Sequence, residues 1–147
     1  INDTLAALLG LDVISPFGPD GEKCGRLCTT SETTAHGLCN KIKETLGAPC
    51  VLCGNPEKEI RTVALLGGDG KSFISEALKV GADAFVTGAS GYNAALEAAD
   101  RELAVIDAGH YHTEFLPLVQ RMTSLISSAF ADVSVAVSGA GCEISCF

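Results

Sequence analysis

His110 and Glu114 stand four residues apart in the run Asp107-Ala108-Gly109-His110-Tyr111-His112-Thr113-Glu114. On an opening helical turn that spacing puts both side chains on one face. An imidazole nitrogen beside a carboxylate is a typical donor pair for a divalent transition metal. Asp107, ending the preceding apolar run, is placed to orient an imidazole from behind as a hydrogen-bond acceptor. The same spacing also suits a helix-start histidine next to a solvated glutamate. Two protein ligands are too few for a tight site, so further donors must come from elsewhere. His112 points elsewhere on the turn and takes no role.

A second candidate is Gly67-Gly68-Asp69-Gly70-Lys71-Ser72, between a strand-like run and a helix-like one. A phosphate-cradling P-loop needs a glycine five residues before the Gly-Lys-Ser glycine, and that place holds Leu65. The loop is therefore not of that type. Its glycines serve either a tight turn or the close approach of a small ligand, with Gly67, Gly68, Asp69 and Ser72 as the binding candidates. A third segment, from Thr87 through Ser90 to Asn93, offers hydroxyls and an amide but no charge. It supports no acid–base role, and Tyr92 there suits packing as well as ligand contact.

The formal net charge of −8 repels phosphate backbones and makes a nucleic-acid face improbable, whereas cations are natural ligands. Seven cysteines fall as Cys24 and Cys28, Cys39, Cys50 and Cys53, then Cys142 and Cys146. A structural zinc site could draw on the two closer-spaced pairs. The alternative is reduced, partly buried thiols in a cytoplasmic protein. No run of 18 apolar residues is present, so nothing in the sequence reads as a membrane span. A chain opening on Ile1 rather than Met, with no signal peptide, reads as a piece of something longer.

The elements that would position these residues follow from the apolar pattern. A short helix opens the chain after Asn2 and Asp3 and stops at Gly10. Residues 11–22, with Pro16, Gly18, Pro19 and Gly21, read as an irregular loop, and 23–30 as a weakly patterned strand. Ser31 can cap a helix carrying Leu38, Ile42 and Leu46, and 50–53 reads as a short strand. Beyond residue 60 the pattern sharpens. Strands are expected at 60–66, 84–87, 103–106 and 133–137, with helices at 71–80, 92–100 and 114–129. Continuous apolar strands alternating with helices predict a three-layer α/β fold, its sheet mainly parallel or mixed, with helices on both faces. Residues 1–147 are expected to form a single α/β domain, sharply patterned over 60–147 and less so over 1–59. Ligands in such folds bind outside the carboxyl ends of the strands, where all three candidate segments fall.

Three stretches then resemble, in order and spacing, the carboxyl-terminal part of the Nif-three-like family. They are Val63 to Gly70, Gly81 to Gly88, and Asp107-Ala108-Gly109-His110-Tyr111 with Thr113 and Glu114. Its members are also called GTP cyclohydrolase I type 2 homologues or dinuclear metal centre hexameric proteins. The opening Asn2-Asp3 and Leu5 to Leu11 resemble the stretch after that family's central metal-binding aspartate. The resemblance implies His110 and Glu114 as ligands of divalent metal ions such as zinc, manganese or iron. It implies self-association into homohexamers of two similar α/β halves, and a metal-dependent hydrolase acting on a nucleotide-like or other small molecule. A His-His pair and an aspartate supplied by the other half would complete the metal site, and none of these precedes Ile1 here. Ala89 and Asn93 stand where the family usually carries Asp and His, a departure that favours a non-catalytic, metal-stabilised assembly protein as the alternative.

Overall fold

The computed structural model describes residues 1–139. Eleven elements follow in order: α1 (Asn2–Leu8), β1 (Asp12–Phe17), β2 (Gly25–Thr34), α2 (Ala35–Leu46), β3 (Val51–Cys53), β4 (Glu59–Asp69), α3 (Ile74–Lys79), β5 (Ala84–Ala89), α4 (Tyr92–Asp100), β6 (Ala104–Asp107) and α5 (His110–Ala129). A 3₁₀ turn over Lys71–Phe73 leads into α3. The strands form one six-stranded sheet in the order β1-β2-β4-β5-β6-β3.

The sheet is mixed. β4 pairs with β5 and β5 with β6 in parallel, while β1/β2, β2/β4 and β3/β6 are antiparallel. Successive side chains on a strand point to opposite faces, so the continuous apolar runs of the central strands feed two cores at once. Val63 and Leu65 of β4, Val86 of β5 and Ile106 of β6 meet Leu5 of α1 and Leu38 and Ile42 of α2 on one face. Ala64, Leu66, Phe85 and Val105 meet Phe73, Ile74 and Ala77 below α3 and Ala95 and Ala98 of α4 on the other. The long helix α5 packs beside α1 on the first face. This is the three-layer arrangement expected from the alternation of strands and helices. Leu65, Ile106 and Phe85 are fully enclosed, so truncating any of them to alanine would cost about 2–5 kcal/mol.

Several expectations are corrected. Residues within 11–22 are not all loop, because Asp12–Phe17 is strand β1, an edge strand paired only with β2. An edge tolerates Pro16, which has no N–H to give, and this is why its composition reads as a turn. The second strand extends to Thr34, so Ser31 lies inside it, and the Thr34 hydroxyl caps α2 by accepting from the Gly37 N–H at 3.1 Å. Helix α5 begins at His110 rather than at 114. Residues 133–137 form no strand: Val133 and Val137 are exposed, and the sheet edges β1 and β3 pair only with β2 and β6. Among the described residues no helix is long and apolar enough to cross a membrane.

Candidate metal centre

Strands β4, β5 and β6 run in parallel, so their carboxyl ends emerge on one side of the sheet, and the first turn of α5 lies against them. His110 opens that turn and Glu114 closes it, with His110 Nε2 2.9 Å from Glu114 Oε2. Both side chains are about half exposed, at 56% and 43%, so the pair faces solvent. The backbone around it is built from glycines because side chains would not fit. A β-carbon on Gly68 would lie 2.6 Å from Glu114 Oε1 and 3.3 Å from His110 Nε2. One on Gly88 would lie 2.7 Å from the His110 Cα.

Two buried threonines fix this junction. Thr113 Oγ1 accepts the Gly68 N–H at 3.0 Å and has the carbonyls of Gly109 and His110 at 3.1 and 3.2 Å as acceptors for its own proton. Thr87 Oγ1 donates to the Gly68 carbonyl at 3.1 Å. Pro117, four residues after Thr113, has no N–H to give the Thr113 carbonyl, and the Gly67 backbone passes beside that oxygen. The Gly67 N–H instead donates to Asn2 Oδ1 at 2.8 Å, which ties α1 to the end of β4.

Among the predicted residues, Gly67 and Gly68 therefore join His110 and Glu114. Asp69 and Ser72 do not. Asp69 Oδ1 accepts from the Lys71 N–H at 3.1 Å, and Ser72 lines a groove between α3 and α4 on the far face of the sheet. Asp107 ends β6, with Ala108 and Gly109 between it and the first turn of α5, but its oxygens are engaged by the backbone and hydroxyl of Ser90 and by the Gly109 N–H. It shapes the loop that presents His110 and does not touch the imidazole. His112 Nδ1 is buried without a hydrogen-bond partner among the described residues. The sequence shows Thr87 as one hydroxyl of the third segment and Thr113 as part of the family-like motif, but not their role in fixing this turn. The one available signal is a hydroxyl within the first turn of a helix that opens behind a glycine.

Cys39 and Cys50 are neighbours, but the closely spaced cysteine pairs of the sequence do not gather into one site. Cys50 packs into the first core and Cys53 into the second, so the C-x-x-C pair is split by the sheet. Cys24 is exposed while Cys28 is buried, and Cys142 and Cys146 lie outside the described residues. Among the described residues no group of three or more His, Cys, Asp or Glu side chains is arranged to hold a metal ion. The His110–Glu114 pair nevertheless has the right chemistry for one. It offers a nitrogen and a carboxylate on one accessible face, and the missing Cβ of Gly68 leaves the space beside both open.

A family profile described as Duf34/NIF3 (NGG1p interacting factor 3) matches residues 1–141. The chain belongs to the NIF3 family. Among NIF3 relatives, a GTP cyclohydrolase 1 type 2 homolog of Clostridium acetobutylicum is 30% identical over 142 residues, covering 92% of this chain and 53% of the relative. The Escherichia coli K12 protein of the same name is 36% identical over 117 residues, covering 77% of this chain and 45% of its own. The chain thus spans about half the length of these curated relatives. A solved structure of a protein named ybgI, described as of unknown function, superposes with a TM-score of 0.71 at 31% identity, over 84% of this chain and 50% of that one. Staphylococcus aureus SA1388 superposes with a TM-score of 0.81 at 19% identity over 99% of this chain and 64% of its own, which shows a shared fold.

Proposed function

We propose that this chain is one half of a metal-binding NIF3 protein, contributing His110 and Glu114 as ligands from the carboxyl ends of its central strands. The observation that carries this reading is the 2.9 Å imidazole–carboxylate pair set against Gly68, whose φ of +75° and close approach to Glu114 favour glycine there. The chemistry of the donors suits zinc, manganese or iron. Such ions, when bound, lower the pKa of coordinated water, which is the basis of metal-dependent hydrolysis. The names of the relatives point to GTP or another small nucleotide-like molecule as the substrate. His110 and Glu114 would hold the ion, Thr113 would keep their helical turn seated on β4, and Gly68 would leave the ion room. We place the protein in the cytoplasm and expect it to self-associate.

A second reading, a non-catalytic assembly protein stabilised by metal, is favoured by Ala89 and Asn93 in the β5–α4 segment, where neither a carboxylate nor an imidazole is available. Titration calorimetry of this chain with manganese and zinc tests the site itself. Weak binding is expected, because two protein ligands leave most of the ion hydrated, and His110→Ala or Glu114→Gln should each weaken it at least about tenfold. Binding that survives both substitutions would overturn the assignment. Incubating the longer protein, metal-loaded, with GTP and simple phosphoesters separates the two readings, since absence of turnover with all of them leaves only the second.

A further inference from the structure

Helices α3 and α4 lie side by side over the second core, on the opposite side of the sheet from α5, and a groove of about 320 Å³ runs between them. Its polar lining is Lys71, Ser72, Ser75, Glu97 and Arg101, over an aliphatic floor from the two helices. Lys71 and Arg101, like most basic residues of the chain, have no carboxylate within ion-pair distance among the described residues; Arg26, Arg61 and Lys79 do. Glu97, one turn before Arg101 on α4, pairs with neither cation. The Lys71 stem rests on the Gly91 turn, where a β-carbon would come within 3.2 Å of its Cδ, so it reaches the groove from a packed base. What sets Lys71 and Arg101 apart is that the two cations line one groove together with two serine hydroxyls.

We infer that this groove binds a small phosphate ester bearing hydroxyl groups. A phosphoryl dianion needs two positive charges, and Arg supplies a fork of N–H donors while Lys supplies a point charge. The Ser72 and Ser75 hydroxyls add neutral donors. The Glu97 carboxylate repels additional phosphates but accepts from an alcohol, which favours a monophosphorylated polyol such as a sugar phosphate over a polyphosphate. A volume of about 320 Å³ lies at the lower end of the range for small-molecule sites and suits that size. The acidic chain repels anions at long range. At physiological salt, charges are screened beyond about 8 Å, so recognition here is a contact effect and should weaken as salt rises. The inference is independent of the metal reading, because the groove shares no residue with the His110–Glu114 pair.

The test is a titration of the ¹⁵N-labelled chain with ribose 5-phosphate, ribose and inorganic phosphate at constant ionic strength, followed by amide shifts. Ribose 5-phosphate should give saturable shifts at Lys71, Ser72, Ser75 and Arg101, with inorganic phosphate weaker and ribose silent. Lys71→Ala and Arg101→Ala should each weaken binding at least about tenfold, and His110→Ala should leave it unchanged. Both cations are exposed, so the spectra of their variants should keep the dispersion of the folded chain. No saturable shift with ribose 5-phosphate, unchanged binding by a variant carrying both Lys71→Ala and Arg101→Ala, or loss of binding in His110→Ala would each overturn the inference. Equal affinity for inorganic phosphate would overturn the ester.

Discussion

Gly68 and Glu114 approach so closely that a single β-carbon on residue 68 would come within 2.6 Å of the carboxylate. Gly68 also adopts φ of +75°, a conformation that costs other residues about 1–2 kcal/mol. Glu114 can swing aside, since its carboxylate is the far end of a flexible side chain, but only by leaving His110. Gly68→Ala should therefore lower the melting temperature by about 2–6 °C and weaken manganese binding by more than the stability loss explains. Scanning calorimetry and metal titration on the same preparation check this. A stability loss with unchanged metal affinity would mean that Gly68 serves the turn alone.

Thr113 is fully buried and through one hydroxyl contacts three backbone groups, the Gly68 N–H of β4 and the Gly109 and His110 carbonyls at the start of α5. Replacing it with valine keeps the shape but strands the Gly68 N–H, which should cost about 1–3 kcal/mol. Thr113→Ser keeps the hydroxyl and loses a methyl group, so it should cost only about 1 kcal/mol. Urea unfolding of the two variants distinguishes hydrogen bonding from packing at this position. A larger loss in the serine variant than in the valine variant would show that the methyl group, not the hydroxyl, holds the turn.

The central strands and the His110–Glu114 pair were legible because each depends on local order. Val63 to Leu66 and Ala84 to Val86 are apolar on both faces, and four-residue spacing needs only one turn of helix to bring side chains together. What escaped depends on tertiary context. Strand β1 is recognisable only once β2 offers it an edge. The split of Cys50 from Cys53 appears only when β3 is laid antiparallel on β6, pairing Leu52 with Ile106 and sending the two thiols to opposite cores. In the sequence Gly67 to Ser72 reads as one loop, serving either a tight turn or a single ligand. The Gly68 N–H turns towards Thr113 below α5, while Ser72 opens on the other face of the sheet, a division that periodicity does not encode.

Asp83 ties the start of β5 to β4. Burial pushes its carboxyl up, but the Thr62 and Arg61 N–H groups and the Thr62 hydroxyl outweigh it and hold the carboxyl below its usual range. A carboxyl lowered by folding adds stability above its unfolded value of about 3.9 and loses it as the pH falls through the folded value. The chain should therefore lose stability as pH drops below about 4, and Asp83→Asn should flatten that dependence while lowering stability at neutral pH. Melting temperatures between neutral pH and the acid range, for both proteins, give the comparison. An unchanged acid slope in the variant would exclude Asp83 as the titrating latch.

The last expectation concerns the thiols. Burial pushes Cys28 up to about 11 and Cys50 up to about 12, the latter helped by the neighbouring Cys39. Alkylation needs the thiolate, so at pH 8 a thiol of this kind should react at least about a hundredfold more slowly than an ordinary one of pKa near 8.5. Cys24, which is exposed, is the internal reference. Iodoacetamide labelling followed by peptide mass spectrometry should find Cys24 modified first and Cys28 and Cys50 protected. The Cys28 rate should rise about tenfold for each pH unit until its pKa is approached. Denaturant should abolish the difference, because the protection comes from the fold. A metal chelator should not change it, because Cys50 and Cys53 face different cores and cannot close on one zinc ion. Rapid labelling of Cys50 in the folded chain, or its release by chelator alone, would contradict the burial argument and return the cysteines to the list of metal ligands.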